Sequence, residues 1–560
     1  MATAGTAPTT VRRGMETTVS TETFLTTGQD ARRTAIFQWF ARARACATPS
    51  PHRIRAPAQA DAAAPREPPD PMSNATEAHR MHDTLLLFGA TGDLAQRYLF
   101  PSLLRLQGDG LLPPDFRVRA LALSPHDTEK FRQILRERFA SLSHYTPTPE
   151  QVEEFLSRVD YRSVDMRTPA SVAEAVADCV DRPCVSYLSI PPGLYISTCE
   201  GLALGGAFKA PNRLMLEKPI GHDLASAREI NATIGGLIDE DRIFRIDHYL
   251  GKAAVQNLLA LRFGNTLLEA VWNRNYIDSV SILVSETEGV DGRNSYYARS
   301  GALRDMVQSH ILQLLCLVAM EPPASLAADR IRDEKVKVLR ALRPFTAAEA
   351  QRHSVRARYI AGTIEGQPVQ AYMPPDDSDV ETFVGVTAHI DNWRWAGVPF
   401  HLATGKRMAE RSTVVTVTLK PVTHWLFERP DGAHAAPNRL TFRLQPQEDI
   451  ELGLMSSLAG PEWGTLELHP LELELSSQTG QNRRIAYERL FLDAMHGNHA
   501  LFVRNDEVEA AWAWIDSVVE GWKAGDVPLE YYPAGTWGPR EALPFLPAQF
   551  DAVGPRREAC

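Results

Sequence analysis

The order of apolar and polar residues gives the first part of the chain a regular alternation of elements. The apolar run Thr84–Phe88 is followed by a glycine-containing segment and a helical pattern that continues to about Gln107. Further strands are expected at 118–123 and 185–190, with a helix at 129–142 between them. Strands that alternate with helices in this way predict a parallel, doubly wound α/β sheet.

After residue 253 the pattern changes to many strand-like runs and one long apolar helix, which we expect at Leu303–Met320. The strand-like runs include Ile277–Val284, Thr382–Ile390, Thr413–Lys420 and Arg439–Leu444. This pattern predicts a mainly antiparallel sheet with helices on one face, and therefore a large α+β domain.

The beginning of the chain shows no sustained periodicity. It is rich in Ala, Thr, Pro and Arg, and we expect residues 1–82 to be a disordered extension. Met72 offers an alternative start. The chain is thus divided into three predicted segments, 1–82, 83–252 and 253–560.

Composition narrows the class of protein. Hydrophobic residues make up 44% and charged residues 23%, as in ordinary globular proteins, and the net charge of -10 argues against nucleic-acid binding. No apolar run approaches the ~18 residues of a membrane span, so no membrane partner is expected. The six cysteines show no paired metal spacing, so we expect no metal site and a reducing, cytoplasmic location.

The segment Gly89–Ala95 spaces its small residues as G-x-x-G-x-x-A directly after a strand. Glycines here allow a tight turn and a close approach to a pyrophosphate at a helix N-terminus. The alternative is a glycine turn that any α/β protein could contain, and the flanking strand and helix favour nucleotide binding.

Two further segments carry candidate chemistry. Arg245–Lys252 gathers a carboxylate, an imidazole, a phenol and a lysine, and a helix there would place His248 and Lys252 on one face as a phosphate clamp. The alternative is a solvated charged turn. His310 lies on the apolar stripe of the predicted helix, which is typical of a core histidine, but an imidazole oriented by Asp247 would also be a good general base.

At these residues the chain resembles the glucose-6-phosphate dehydrogenase family, from about residue 84 to 539. The motifs that carry the resemblance occur in order: Glu217–Gly221, Asp247–Lys252, Trp272–Arg274, Arg304–Gln308, Arg332–Leu339, Asp391–Phe400, Gly405–Lys406 and Gly535–Pro539. The resemblance implies an NADP-binding Rossmann-type domain at 83–252 and an α+β substrate and dimerisation domain at 253–560. It also implies oxidation of glucose 6-phosphate in the pentose phosphate pathway by a homodimer or homotetramer.

The resemblance also implies a role for each matching residue. His310 matches the family's general base and Asp247 its partner. The substrate contacts would be Lys218, His248, Tyr249, Lys252, Glu286, Asp305, Lys406, Arg411 and Gln445. The coenzyme contacts would be Gly89, Ala90, Thr91, Gly92, Asp93, Leu94, Ser124, Tyr187 and Lys218.

The chain departs from the family pattern where coenzyme choice is decided. Leu123 stands where the family usually has an arginine facing the adenosine 2'-phosphate, so Ser124 or Arg97 would share that task. No acidic residue replaces the arginine, and an NAD-preferring or dual-coenzyme dehydrogenase is the main alternative. A catalytically silent nucleotide-binding scaffold is a further alternative, but such a protein would be expected to have lost Asp247, Lys252 or His310.

Overall fold

The structure is a computed structural model that describes residues 82–547, except 143–144, 291–293, 376–377, 425–436, 447, 458–465 and 475–484. The chain divides into two units, Met1–Pro71 and Met72–Cys560, and every described residue lies in the second. The predicted extension at 1–82 therefore falls outside the described residues, apart from His82. That histidine is buried, with its Nε2 3.0 Å from the carbonyl oxygen of Pro211.

The secondary structure alternates at first and later becomes rich in strands. Within the described residues the strands are, in chain order, β1 (Thr84–Phe88), β2 (Arg117–Ala122), β3 (Val159–Ser163), β4 (Cys184–Leu188), β5 (Arg213–Leu216), β6 (Ile243–Ile246), β7 (Ile277–Ser285), β8 (Ser354–Ile360), β9 (Gly362–Ile364), β10 (Gln367–Val369), β11 (Phe383–His389), β12 (Pro399–Gly405), β13 (Ser412–Leu419), β14 (Arg439–Gln445), β15 (Asp449–Ser457), β16 (Leu466–Glu474), β17 (Phe502–Val503) and β18 (Leu529–Pro533). The α-helices are Phe100–Gly108, Thr128–Phe139, Pro149–Ser157, Pro169–Val176, Tyr195–Leu204, Leu224–Gly235, Ala253–Gly264, Thr266–Val271, Asn294–Ala302, Leu312–Ala319, Ala328–Arg340, Ala347–His353, Ala486–His496 and Asn505–Ala524. Shorter turns of π-helix (Ala95–Leu99, Leu303–Ile311) and 3-10 helix (Pro192–Leu194, Glu240–Arg242, Arg540–Phe545) join them.

The first sheet has the order β17-β6-β5-β4-β1-β2-β3. Its strands are parallel, except that β17 runs antiparallel to β6. The predicted doubly wound parallel sheet is therefore confirmed. Since β1 lies between β2 and β4, the strand order reverses there and leaves a crevice at the carboxyl ends, where such sheets bind ligands.

The central strand β1 shows why this sheet forms. All five of its residues are buried, as expected of a parallel strand that is covered on both faces. Leu85 and Leu87 point into the core that contains Phe100, whereas Leu86 and Phe88 point into the larger core on the opposite face. The period of two along an entirely apolar run thus anchors the sheet between two helical layers.

The second sheet has nine strands in the order β16-β15-β14-β13-β7-β12-β11-β8-β18. Its neighbours are antiparallel, except for the parallel pairs β7–β12 and β8–β18. The prediction of a mainly antiparallel sheet is confirmed.

The predicted helix Leu303–Met320 is divided in the structure, which corrects that expectation. Leu303–Ile311 is π-helical and only Leu312–Ala319 is α-helical. Every residue of the α-helical part is buried. Its last carbonyls accept hydrogen bonds from two buried indoles, Trp272 to Val318 and Trp395 to Ala319, both at 2.8 Å. These side chains satisfy acceptors that a helix end leaves open, so the two tryptophan motifs fix the position of this helix.

A segment near the C-terminus completes the first sheet. Helix Ala486–His496 packs against the core that contains Leu85 and Leu87, and β17 pairs with β6. The boundary between residues 252 and 253 stays a prediction, but the first sheet includes a strand from far beyond it.

Candidate active site

A buried histidine and a buried aspartate form the centre of the candidate site. The Nδ1 atom of His310 lies 2.6 Å from Oδ1 of Asp247, and their side chains are only 1% and 2% exposed. Asp247 directly follows β6, and its Oδ1 also accepts a hydrogen bond from the Tyr249 amide at 3.0 Å. Because Nδ1 is occupied, Nε2 is the nitrogen of His310 that is left to accept a proton.

Burial and the opposite charge act against each other in this pair. Burial would raise the pKa of Asp247, but the charge and hydrogen bond of His310 outweigh it and hold that pKa below its usual value. Burial lowers the pKa of His310, and Asp247 offsets part of that decrease. At neutral pH the pair is therefore a carboxylate and a neutral imidazole, which is the form that a general base requires.

The π-helical segment Leu303–Ile311 holds His310 in place. Its first amide, that of Leu303, donates a 2.9 Å hydrogen bond to Oε1 of the buried Glu381. Gly301 precedes it with φ of 63°, and a Cβ at that position would lie 2.4 Å from Glu381 Oε1. Glycine is thus required at the entry of this segment. Such π-helical turns are frequent at functional sites.

Two lysines meet one carboxylate beside the pair. The Nζ atom of Lys218 donates to the carbonyl oxygen and to Oδ1 of Asp305, at 2.8 and 3.1 Å. The Nζ atom of Lys406 lies 2.6 Å from Glu286 Oε2 and 4.0 Å from Asp305 Oδ2. Four of the predicted substrate contacts are therefore brought together as alternating positive and negative groups.

The predicted phosphate cluster lies on a turn. Residues 247–252 are not helical, and the next helix begins at Ala253, so the expected helical spacing of His248 and Lys252 is wrong. The rings of Tyr249 and His310 stack at 4.3 Å, and the His248 ring lies 4.4 Å from that of His310. Stacking of these rings, and not one helix face, brings the cluster to the catalytic pair.

Lys252 forms no salt bridge within the part of the chain that the structure describes, although Asp247, Glu448 and Glu286 are near enough to act on its charge. Its Nζ lies 3.6 Å above the Tyr249 ring and makes no hydrogen bond with any residue that the structure describes. Burial, with a contribution from the nearby positive Arg411, lowers the pKa of Lys252 to about 7. Burial also lowers the pKa of His248 well below its usual value. A buried ammonium whose hydrogens have no acceptor among the described residues is suited to an incoming anion.

Arg411 and Gln445 lie further out. The guanidinium of Arg411 is largely exposed, 3.5 Å from Glu288. Gln445 accepts a 3.1 Å hydrogen bond from the hydroxyl of Thr413, which in turn lies 3.5 Å from the Tyr249 hydroxyl. Gln445 is thus connected to the cluster through Thr413.

The glycine segment lies at the carboxyl end of β1, in the crevice of the first sheet. Gly89 has φ of 80°, and a Cβ there would lie 2.0 Å from the carbonyl oxygen of Ser189. The Gly92 amide closes the turn with a 2.9 Å hydrogen bond to Gly89. The turn thus excludes side chains and leads into a helix, as a pyrophosphate site requires.

Apart from Lys218, which contacts Asp305, the remaining predicted coenzyme contacts belong to this turn or border it, with one exception. Ala90 is buried, Thr91, Leu94 and Ser124 are partly buried, and Asp93 is exposed with Arg97 3.3 Å away. The Ser124 hydroxyl lies 3.4 Å from that of Thr91. Leu123 is 62% exposed at the end of β2.

Tyr187 is the exception, because its side chain has no exposed atom and packs against Phe491. Its hydroxyl donates a 2.5 Å hydrogen bond to Glu217. This side chain supports Glu217, and a contact of Tyr187 with the coenzyme stays a prediction.

Sequence reasoning missed Glu217 and Glu381. Burial raises the pKa of Glu217 to about 7, although the Tyr187 hydroxyl and Lys218 favour its charged form. Its only sequence signal is membership of the Glu217–Gly221 motif. Glu381 gives no signal, because it meets the π-helical segment only in the folded chain.

One group of side chains also has the spacing of a metal site. Single ligand atoms of Asp247, His248 and His310 lie within 4.8 Å of one another. However, Asp247 Oδ1 and His310 Nδ1 already share a hydrogen bond, and a metal ion there would have to displace it. The arrangement favours proton transfer over metal binding.

A nucleotide-binding crevice beside a buried imidazole–carboxylate pair and a set of lysines defines a two-domain, dinucleotide-dependent oxidoreductase. No helix in the described part of the chain combines the length and apolarity that a membrane crossing needs.

Comparison with known proteins gives the family. Residues 86–257 match the model of the glucose-6-phosphate dehydrogenase NAD binding domain, and residues 259–551 match that of the C-terminal domain. The glucose-6-phosphate 1-dehydrogenases of Zymomonas mobilis and Rhizobium meliloti are 45% and 44% identical over 82% of this chain and 96% and 95% of theirs. A solved glucose-6-phosphate dehydrogenase in complex with its substrate glucose 6-phosphate is similar, with a TM-score of 0.74 and 32% identity over 84% of this chain and 98% of that one. The solved structure of the glucose-6-phosphate 1-dehydrogenase from Mycobacterium avium has a TM-score of 0.72 and 32% identity, over 84% of this chain and 97% of that one. The chain belongs to the glucose-6-phosphate dehydrogenase family.

Proposed function

We propose that the chain is a glucose-6-phosphate 1-dehydrogenase that oxidises glucose 6-phosphate to 6-phosphoglucono-lactone, the first step of the oxidative pentose phosphate pathway. The observation that carries this proposal is the buried His310–Asp247 pair, 2.6 Å apart, beside the ammonium of Lys252, which has no hydrogen-bond acceptor among the described residues. A base and an anion site in one cleft suit a phosphorylated sugar alcohol. The names of the relatives support the same activity.

His310 takes the proton of the C1 hydroxyl on Nε2 as the C1–H bond breaks. The electron pair of that bond leaves as hydride, the C1–O bond becomes a carbonyl, and a bound nicotinamide coenzyme accepts the hydride. Asp247 keeps the Nδ1 proton in place and stabilises the imidazolium that forms. Lys218, next in sequence to Glu217, joins the coenzyme domain to Asp305 across the cleft.

Binding energy comes from the two ends of the substrate. Lys252, His248 and Tyr249 take the phosphate, because the buried ammonium gains a dianionic partner there. Glu286, Asp305 and Lys406 offer acceptors and donors to the sugar hydroxyls, with Arg411 and Gln445 at the edge.

We assign NADP as the coenzyme, with weaker discrimination against NAD than an arginine at position 123 would give. The glycine turn fits a pyrophosphate, because no Cβ can be placed at Gly89. Leu123 cannot bind a phosphate, and the exposed Arg97 is the nearest cation in sequence to the turn. A dual or NAD-preferring enzyme is the second candidate, and Leu123 is the observation that favours it.

The test is the appearance of reduced nicotinamide, followed by absorbance, with purified protein and glucose 6-phosphate, free glucose or other sugar phosphates, each with NADP and with NAD. We expect glucose 6-phosphate to be the preferred substrate and free glucose to be poor. His310→Asn and Lys252→Met are the matched variants for the chemical step and for the phosphate. Equal use of glucose and glucose 6-phosphate, or full activity of His310→Asn, would contradict the proposal.

Assembly as a homodimer or homotetramer and action in the cytoplasm belong to the same proposal. Light scattering on the purified chain tests the first, with a mass of two or four chains expected.

A further inference from the structure

Beside the catalytic pair the structure contains a small, partly open cavity with a volume of about 30 Å³. Its polar lining consists of Lys218, Arg245, Asp247, Gln308, Ser309, Gln313 and Glu507. A water molecule needs roughly 10–15 Å³ of such volume, so there is room for one or two.

Two buried polar atoms of residues that line this cavity have no hydrogen-bond partner in the described part of the chain. They are Asp247 Oδ2, an acceptor, and Arg245 Nε, a donor. The two residues are separated by one position at the end of β6, and both side chains are only 2% exposed. A buried donor or acceptor without a hydrogen bond lowers the free energy of unfolding. Because one atom is a donor and the other an acceptor, a single water molecule could satisfy both.

The far wall of the cavity is held rigidly. The Nζ atom of Lys335 lies 2.8 Å from both Glu507 Oε2 and Gln313 Oε1, in a buried ion pair. The Gln313 side-chain amide donates one of its two hydrogens to Glu507 Oε2, at 3.4 Å. On the near wall, Arg245 is anchored by a 2.6 Å hydrogen bond to Glu240. The polar groups that face the cavity therefore cannot collapse into it.

We propose that an ordered water molecule occupies this cavity, accepts a hydrogen bond from Arg245 Nε and donates one to Asp247 Oδ2. Arg245 is then a positioning residue, which acts on the reaction through Asp247, and Gln313 lines the same cavity. The water sets how the negative charge of the Asp247 carboxylate is shared between Oδ2 and Oδ1, the oxygen that faces His310 Nδ1. This inference rests on the proposed function only for its kinetic test.

The water also affects the basicity of His310. A donor at Oδ2 draws negative charge away from Oδ1 and weakens the support that Asp247 gives to an imidazolium. Removing the water should raise the pKa of His310 and move the acidic limb of the kcat profile to higher pH. The other titratable groups around the pair are His248, Lys218, Asp305, Glu217, Lys252 and Glu507, and none of them is altered in the test below.

Two variants from opposite walls test the proposal. Arg245→Lys keeps the positive charge but loses the Nε–H, and Gln313→Met keeps the volume but loses the amide. We expect each to shift the acidic limb upward by about half a pH unit to one pH unit, the size of one hydrogen bond. Should Gln313→Met not fold, Gln308→Met changes the same cavity.

The matched control is Arg262→Lys. Arg262 is another buried arginine with an unpartnered Nε, but it contacts Leu317 and Met320 and does not line the cavity. We expect Arg262→Lys to lower the melting temperature without moving the pH profile. If Arg245→Lys and Gln313→Met also change only the melting temperature, or lower kcat equally at every pH, the two residues have a structural role and the proposal fails.

A crystal structure gives a readout that does not depend on activity. At a resolution that shows ordered water, we expect a water oxygen within hydrogen-bond distance of both Asp247 Oδ2 and Arg245 Nε. An empty cavity would overturn the inference. A water in place in a chain that does not oxidise glucose 6-phosphate would refute the proposed function and leave this site standing.

Discussion

The buried ammonium of Lys252 predicts that substrate affinity depends on pH in a particular way. Its pKa of about 7, lowered by burial, means that about half of the free protein carries the charged lysine at pH 7 and about 1% at pH 9. The phosphate of the substrate, whose second pKa is about 6, stays dianionic over this range. Only the charged lysine gains a partner when the phosphate binds.

The expected size of the effect follows from these fractions. The loss of protonated lysine alone would raise KM about fiftyfold between pH 7 and pH 9. A charge-assisted hydrogen bond is worth about 1.5–3 kcal/mol, or about ten- to 150-fold in affinity, which limits the change. We therefore expect KM for glucose 6-phosphate to rise about ten- to fiftyfold. The pKa of His310 lies below its usual value, so kcat should stay nearly constant.

The assay is initial-rate kinetics against glucose 6-phosphate at saturating NADP between pH 7 and pH 9. Lys252→Arg keeps its charge throughout and should remove the pH dependence of KM. Lys252→Met should give a high KM at every pH. A wild-type KM that stays flat, together with a high KM for Lys252→Met, would show that the lysine binds phosphate but has an ordinary pKa. An unchanged KM in Lys252→Met would refute the phosphate role itself.

Four further outcomes are expected. His310→Asn should lower kcat by about 10²- to 10⁴-fold with little change in KM, measured by steady-state kinetics, and near wild-type turnover would exclude it as the base. Leu123→Arg should raise kcat/KM for NADP relative to NAD by about tenfold or more, because the exposed position can present a guanidinium to a 2'-phosphate; an unchanged ratio would point to Arg97 or Ser124. Gly89→Ala should lose coenzyme binding or soluble protein because of the clash with Ser189, whereas Gly110→Ala has a similar φ of 70° but open space and should lose much less in thermal denaturation and fluorescence titration. The pKa of Lys252 is lower in the folded than in the unfolded chain, so the unfolded chain binds more protons between pH 7 and about 10 and the free energy of unfolding gains with pH in that window; Lys252→Met should lack this gain in denaturant titrations.

Much of the fold was predictable because its strands have strong local patterns. The run Thr84–Phe88, in which four apolar residues follow a threonine, is typical of a strand that is buried on both faces. The many β-branched residues of β13 are also typical of a strand. Sequence patterns do not show which strands become neighbours, so the parallel pairing of β7 with β12 and the return of β17 to the first sheet were not expected. Those pairings join residues that are more than a hundred positions apart.

The candidate site was predictable at the level of residues and less so at the level of geometry. A helical period of 3.6 placed His310 on an apolar stripe, but Leu303–Ile311 is π-helical, and its entry depends on the distant Glu381. The spacing of His248 and Lys252 suggested a helix face, whereas they lie on a turn, with the His248 ring edge-on to His310 and Lys252 above the Tyr249 ring. The side chains that support the site, such as Glu217 and Lys335, lie in sequence motifs, but the sequence does not show their partners, which come from other elements.

The late segment that completes the first sheet has a consequence for synthesis of the chain on the ribosome. Leu490, Phe491 and Phe502 belong to the same core as Leu85 and Leu87, so the amino-terminal half of the protein is synthesised long before its own core is complete. At roughly 5–20 residues per second, the 252 residues from 252 to 503 take about 13–50 s to emerge. During that time the apolar face that helix Ala486–His496 will cover is open to other nascent chains. We therefore expect a chain truncated before residue 486 to aggregate instead of yielding an isolated nucleotide-binding domain.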